Sequence, residues 1–160
     1  MIKKFIVPIL LSICVLAGPA EAQLFIGEGK VSLAVSGGER VYKTLTVYNN
    51  SGEAYPVKVY WEDFEYQPPY DGSKVFLPSG TGKQSASQWV TFSPQEFRMD
   101  SFGKQVIEYS INVPPEIKGG HYGVLFFERE AEKTQSEFSG VKIVTRVGSL
   151  FFIEPKEKVK

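Results

Sequence analysis

Residues Gln105–Val113 read QVIEYSINV and alternate between apolar and polar side chains. Four large apolar side chains share one side of the extended chain: Ile107, Tyr109, Ile111 and Val113. This period of two is typical of a half-buried β-strand. Pro114 and Pro115 follow at once, and they end the strand because proline has no N–H to donate to a ladder. The stretch therefore predicts a strand with one face in a core.

Similar segments lie on both sides of this strand. They alternate in the same way or are rich in β-branched and aromatic residues, and clusters of Gly, Asn, Ser and Pro separate them. The segments are Lys30–Val35, Arg40–Asn49, Pro56–Phe64, Trp89–Ser93, Phe97–Met99, His121–Glu130 and Val141–Ile153. No segment shows sustained helical spacing. The sequence thus predicts an all-β, immunoglobulin-like sandwich of about seven antiparallel strands, with a closed barrel as the main alternative.

One long segment departs from this pattern. Residues Glu65–Gln88 hold several prolines and glycines and little periodicity, which predicts a long loop with one short strand around Lys74–Leu77. Aromatic side chains in loops often bind proteins or glycans. The candidate binding loop carries Tyr66, Tyr70 and Phe76. The alternative is a flap that packs on the sandwich.

The first residues have the three-part pattern of a secretory signal peptide. A basic start at Lys3 and Lys4 precedes an apolar run, and Ala20 and Ala22 form a cleavage site before Gln23. The run is shorter than the ~20 residues that span a bilayer, so no membrane span is expected in the mature chain. The predicted organisation is a signal peptide at 1–22, a sandwich domain at 23–155 and a charged tail at 156–160. The predicted location is periplasmic or secreted.

Charge and cysteine content narrow the partners and the sources of stability. Removing residues 1–22 leaves 138 residues with 16 basic and 17 acidic side chains, which gives no reason to expect nucleic acid. The only cysteine, Cys14, leaves with the signal peptide. Stability is therefore expected from a buried core without a disulfide.

The sequence offers few groups for catalysis. His121 is the only histidine and has no serine in an elbow motif beside it, and no Cys/His cluster is present for zinc. Glu62 and Asp63 are neighbours on a predicted strand, so they point to opposite faces, and we interpret them as a solvated strand end. We expect no catalytic residue, no metal site, no cofactor and no enzymatic activity.

The order of segments resembles the N-terminal immunoglobulin-like domain of periplasmic pilus-assembly chaperones. The segments that carry this resemblance are Thr46–Ser51 (TVYNNS), Val57–Trp61, Phe92–Gly103, Gln105–Pro115 and Val141–Pro155. In that family the last strand is an edge that completes the fold of another protein. The resemblance therefore implies strand addition to an exported partner. The predicted partner-binding positions are Val141, Ile143, Thr145 and Val147.

The family also anchors the carboxyl terminus of its partner with an arginine near the first strand and a lysine in the last. Lys30 lies near the first position, whereas the second falls at Ser149, with Arg146 three residues before it. Lys30 and Arg146 are therefore the predicted carboxylate anchor. The alternative for Val141–Ile153, which is apolar on both sides, is an ordinary core strand.

The family carries a second sandwich domain, and this chain ends where that domain would begin. We therefore predict a lone, non-enzymatic chaperone-like or adaptor module that binds partner proteins, in the manner of pilus assembly. The alternative function is a structural or surface module that binds a cell-wall polymer or glycan through its loops.

Overall fold

The computed structural model describes residues 24–129 and 144–156, which form two stacked β-sheets. The strands are β1 (Leu24–Ile26), β2 (Lys30–Val35), β3 (Arg40–Asn49), β4 (Tyr55–Tyr66), β5 (Lys74–Pro78), β6 (Val90–Ser93), β7 (Glu96–Met99), β8 (Lys104–Asn112), β9 (His121–Arg129) and β10 (Thr145–Pro155). The predicted all-β sandwich is confirmed. Within these ranges there is no helix with the length and hydropathy needed to cross a membrane.

The strands divide into a four-stranded and a six-stranded sheet. The first has the order β1-β3-β8-β6, and the second has the order β2-β10-β9-β4-β5, with β7 also paired to β4. All pairs are antiparallel except β2 with β10. The structure refines the predicted number of about seven antiparallel strands to ten described strands, of which one pair, β2 with β10, is parallel.

The parallel pair arises because the chain changes sheets near its start. β1 pairs with β3, whereas β2, only a few residues later, pairs with β10. The amide of Gly27 still donates to Thr46 O (2.9 Å), but the carbonyl of Gly29 already accepts from Leu150 N (3.0 Å). β1 was not predicted because three residues are too few to show a period of two.

The core lies between the sheets. The apolar side of QVIEYSINV is buried there, with Ile107 and Ile111 fully covered. The rings of Tyr109 from the four-stranded sheet and Phe151 from the six-stranded sheet meet edge to face, 5.2 Å apart. Burying a large apolar side chain stabilises a fold by about 1.5–3 kcal/mol, so these residues hold the two sheets together.

The predicted loop at Glu65–Gln88 is partly a hairpin. β4 continues to Tyr66, and β5 pairs with its end in the register Tyr66 to Lys74 and Glu62 to Pro78. The predicted short strand around Lys74–Leu77 is confirmed as β5, and β4 extends two residues beyond its predicted end at Phe64. Tyr66 and Phe76 therefore lie on strands, and only Tyr70 lies in the connecting turn, with φ of 60°.

Three predictions concern residues outside the described ranges. The signal peptide at 1–22, the partner-binding positions Val141 and Ile143, and the tail beyond Lys156 lie there.

Candidate functional site: the open half of the last strand

Strand β10 has two halves with different surroundings. Residues Leu150–Pro155, the paired half, pair with β2 throughout, and Leu150–Ile153 also pair with β9. Residues Thr145–Ser149 pair with β9 alone, and no strand among residues 24–129 and 144–156 is hydrogen-bonded to their other side, although β1 of the four-stranded sheet lies close to β10. We call these five residues the open half of β10.

Hydrogen bonds to β2 show which backbone groups face the open side. Leu150 N donates to Gly29 O, and Lys156 N donates to Val35 O. Backbone groups of successive residues in a strand point to opposite sides. Arg146 and Gly148 therefore direct their N–H and C=O groups away from β9, toward the open side.

A buried serine fixes the point where the open half begins. Ser149 is fully buried, and its Oγ donates to the carbonyl of Glu28 over 2.6 Å. This bond and the one from Leu150 N to Gly29 O hold the crossing segment against β10. Because β2 starts only at Lys30, the chain before it cannot cover the open half within the same sheet.

The predicted partner-binding residues Thr145 and Val147 both lie in the open half. Thr145 is exposed and pairs with Arg129, while Val147 is half-buried against the core and pairs with Phe127. Their side chains share the inner face of the six-stranded sheet, so a strand added at this edge would pass beside Val147.

The predicted anchor residues Lys30 and Arg146 lie on the outer face of the same sheet. Lys30 is level with Leu150, which lies four residues after Arg146, so Lys30 and Arg146 are about 13 Å apart along the strand direction. The ammonium of Lys30 lies 4.7 Å from the ring centre of Phe152, and the guanidinium of Arg146 lies 4.2 Å from that of Phe126. In these conformations the structure does not bring the two cations together.

Arg146 is held by polar neighbours on β4. Its Nη1 lies 3.3 Å from Tyr60 Oη and 3.3 Å from Glu62 Oε1. The hydrogen bond with Tyr60 is the main cause that raises the pKa of Arg146 above its usual value, and Glu62 contributes in the same direction. The side chain therefore lies along the outer face of the sheet and leaves the backbone edge uncovered.

Gly148 brings its neighbours close to the backbone of the open half. A Cβ placed there would lie 2.7 Å from Val124 Cγ2 and 2.8 Å from Phe126 Cε1. Larger residues would have to push these side chains aside. Because Gly148 has no side chain, Phe126 can pack over the backbone of the strand at this position.

The aromatic residues predicted as a loop lie on the outer face of this sheet. Tyr66 packs against Phe64 with ring centres 6.0 Å apart, and Phe76 packs edge to face on Phe126 at 5.2 Å. The structure thus brings Tyr66 and Phe76 to the face that carries Arg146, while Tyr70 is 71% exposed at the turn. The β9 ring Phe126 was missed because it lies in the continuous apolar run Val124–Phe127, which does not show which residues face outward.

Asp63 is buried rather than solvated, which corrects the interpretation of a strand end. It is 1% exposed, and its carboxylate accepts four hydrogen bonds. The donors are Trp61 Nε1, Gly80 N, Gly82 N and Ser85 Oγ. The loop after β5 folds back over the carboxylate, which sequence spacing could not show. Asp63 therefore organises this loop, and Glu62 points to the other face.

His121 also has a packing role. Its Nδ1 lies 3.1 Å from the carbonyl of Ser85, and its ring centre lies 4.1 Å from that of Trp89. Within the described ranges, no three His, Cys, Asp or Glu side chains lie close enough to hold a metal ion.

Comparisons with known proteins place the chain by its fold. No family model matches the sequence, and no curated protein matches it. Among solved structures, a PapD-like domain of human CEP192 is similar, with a TM-score of 0.56, 12% identity, and coverage of 91% of this chain and 93% of that one. The E. coli chaperone DraB is similar with a TM-score of 0.54, 14% identity and 85% of this chain covered. The periplasmic chaperone SfaE has a TM-score of 0.54, 12% identity and 84% of this chain covered.

These likenesses show the fold. The resemblance to the PapD-like domain of pilus chaperones is confirmed at that level. The chain spans 57% of the length of DraB and 58% of that of SfaE. Because a PapD-like domain also occurs in human CEP192, the fold alone does not define what the chain binds.

Proposed function

We propose that this chain is an exported, non-enzymatic, chaperone-like module that binds a partner protein by adding a strand of the partner to the open half of β10. The observation that carries the proposal is the change of surroundings within one strand. Arg146 and Gly148 direct backbone donors and acceptors to a side where no described strand is hydrogen-bonded to them. Such an edge binds extended peptides through main-chain hydrogen bonds.

The start of β2 sets the direction of the partner strand in this proposal. β2 runs parallel to β10 and begins level with Leu150, so an added strand must end before Gly29. A partner strand parallel to β10 would bring its carboxyl end toward the ammonium of Lys30. An antiparallel strand would bring an amino end there, and like charges repel. We therefore propose a parallel strand whose carboxyl terminus lies near Lys30, with Arg146 at the other end of the edge.

The inner side of the added strand would provide selectivity. Thr145 and Val147 line this side, so apolar partner residues at alternate positions would cover Val147. The proposal extends to Val141 and Ile143, which lie outside the described residues. The solved neighbours DraB and SfaE are described as chaperones, and SfaE as periplasmic, which supports an exported protein as partner and a periplasmic location.

Glycan binding through the aromatic residues has less support. The ring of Tyr66 lies under the ammonium of Lys74, at 5.0 Å, and Phe76 packs edge to face on Phe126. Sugar rings stack on open aromatic faces, and a cation already lies over one face of two of the three rings, Lys74 over Tyr66 and Arg146 over Phe76.

Site-specific photo-crosslinking in cells tests strand addition. A photoreactive residue at Thr145 is expected to capture a partner protein, whereas one at Tyr42, which is 69% exposed on the other sheet, is expected to capture none. In the same background, Arg146→Pro removes an N–H that faces the open side and leaves the bonds to β9 in place. We expect Arg146→Pro to abolish capture at Thr145.

Arg146→Ala is the matched control, because it removes the same side chain and keeps the N–H. It is expected to retain capture within about tenfold, since the loss of one exposed ion pair costs about 1 kcal/mol or less. Equal capture by the proline and alanine variants, both folded by circular dichroism, would contradict strand addition.

A further inference from the structure

The outer edge of β2 is a second unpaired strand edge, separate from the open half of β10. β2 is the first strand in the order of the six-stranded sheet, so it has one neighbour among the described strands. Gly29 and Val35 direct their carbonyls to β10. By the same alternation, Lys30, Ser32 and Ala34 direct their N–H and C=O groups outward.

This edge has little that would prevent pairing with another strand. Edge strands are commonly guarded by prolines, bulges or charged side chains. β2 is a regular strand without proline, and Lys30 is its only charged residue. β5, the edge strand at the other end of the same sheet, begins with Lys74 and ends with Pro78. The β5 edge therefore carries a proline that disfavours pairing with a further strand, whereas the β2 edge carries none.

The outer face beside β2 forms a shallow groove with opposite charges at its two ends. Ser32 and Ala34 are small, and the taller side chains of Phe152 and Glu154 stand beside them on β10, which leaves a cavity of 330 Å³. Lys30 lies at one end and Glu154 at the other, level with Ala34. In the described part of the chain neither residue makes a salt bridge.

We propose that β2 pairs with β2 of a second copy of this chain, antiparallel about a two-fold axis at Ser32. This register places Ser32 opposite Ser32 of the second copy and Lys30 opposite Ala34 of the second copy. Each of the three residue pairs exchanges two N–H···O bonds. The two six-stranded sheets become one continuous sheet across the interface.

Charge complementarity selects a second copy as the occupant. Strands in a sheet lie about 4.8 Å apart, so Lys30 of one copy lies two strand spacings, about 10 Å, from Glu154 of the other. Only the methyl group of Ala34 stands between them. The four-carbon stem of lysine crosses this gap, and the two-fold axis forms the same ion pair twice. The charges of one copy thus complement those of the other. A strand of unrelated sequence would not supply both a cation and an anion at these positions.

Charge reversal tests the proposal in solution. We expect the chain, expressed as residues 1–160, to show a concentration-dependent monomer–dimer equilibrium in sedimentation velocity. Lys30→Glu or Glu154→Lys turns both ion pairs into repulsions, which is expected to weaken the dimer about tenfold. The double variant Lys30→Glu/Glu154→Lys restores the pairs and is expected to return the dissociation constant to within about threefold of the original.

A cysteine pair tests the register and does not depend on the charges. In a background without Cys14, Ser32→Cys is expected to form a disulfide-linked dimer under mild oxidation, since Cα atoms of such opposed residues lie about 5.5 Å apart. Ala34→Cys is the control, because the two cysteines would lie about 13 Å apart along the strand direction. A monomer at all concentrations, no rescue by the double reversal, or equal crosslinking of the two cysteine variants would each overturn the proposal.

Discussion

The two halves of β10 belong to one strand but have different surroundings. The paired half, Leu150–Pro155, pairs with β2 throughout and with β9 as far as Ile153, and it places Phe151 and Ile153, both fully buried, in the core. The open half has one neighbouring strand, and its residues include the exposed Thr145 and Arg146. The difference shows how a strand can be fixed firmly at one end and still present backbone hydrogen-bonding groups at the other.

The crossing segment before β2 creates this difference. The chain leaves the four-stranded sheet after β1 and joins the six-stranded sheet only at Gly29. Had β2 begun four residues earlier, it would cover Arg146 and Gly148 as well. The proposed binding edge thus depends on where a neighbouring strand begins rather than on the composition of β10.

The largest effect on stability is expected in the paired half. Phe151→Ala removes a fully buried ring that packs on Tyr109 and Trp61, so we expect the free energy of unfolding to fall by about 3–5 kcal/mol. Thr145→Ala in the open half is the control, with an expected change within about 0.5 kcal/mol. Urea unfolding followed by tryptophan fluorescence measures both, and similar losses would remove the distinction between the halves.

Alkaline pH provides a second test, because Tyr109 on β8 packs against Phe151 in the paired half of β10. Burial, followed by the charge of Glu28, raises the pKa of the Tyr109 hydroxyl from 10.0 to about 12. Between these pH values the unfolded state loses the proton and the folded state keeps it. The free energy of unfolding is therefore expected to decline as pH rises through this window, by about 1.4 kcal/mol per pH unit.

Tyr109→Phe removes the group that titrates and serves as the matched variant. Between pH 10 and 12 its free energy of unfolding is expected to decline less than that of the original chain. The difference between the two declines is expected to be about 2–3 kcal/mol. Unfolding by urea at several pH values measures the difference, and parallel curves for the two proteins would contradict the burial of this hydroxyl.

A smaller effect is expected at the junction of the two halves. Ser149→Ala removes the bond to Glu28 O and leaves a carbonyl of the crossing segment without this partner, which costs about 1–2 kcal/mol. Ser110→Ala is the control, since its hydroxyl bonds to Thr91 on an exposed face, and we expect about 0.5 kcal/mol or less. Equal losses in thermal unfolding would show that Ser149 does not fix the crossing.

The sequence predicted the fold because most strands alternate over many residues. QVIEYSINV was expected to bury Ile107 and Ile111, and both are fully buried. It did not predict β1, which is too short to show a period, or the pairing of β5 with the end of β4. Alternation of apolar and polar residues along a strand shows which face of the strand is buried. It does not show which strands are neighbours in a sheet.

The candidate site could be found only by knowing which strands are neighbours in the sheet. The strand carrying Thr145 and Val147 was identified from its apolar length and from resemblance, but its free side follows from the start of β2. The burial of Asp63 was missed for a similar reason, because its donors Gly80 and Gly82 come from a loop that returns to the sheet. Long-range contacts of this kind leave no local pattern in the sequence.

Amide hydrogen exchange along β10 tests the open half most directly. In the free chain we expect the amides of Arg146 and Gly148 to exchange much faster than those of Val147 and Ser149, which point toward β9. Leu150 and Phe152, which point toward β2, are expected to be protected like their neighbours. Protection of Arg146 and Gly148 equal to that of Val147 and Ser149 would mean that this side of β10 is already occupied, and it would contradict the proposed strand addition.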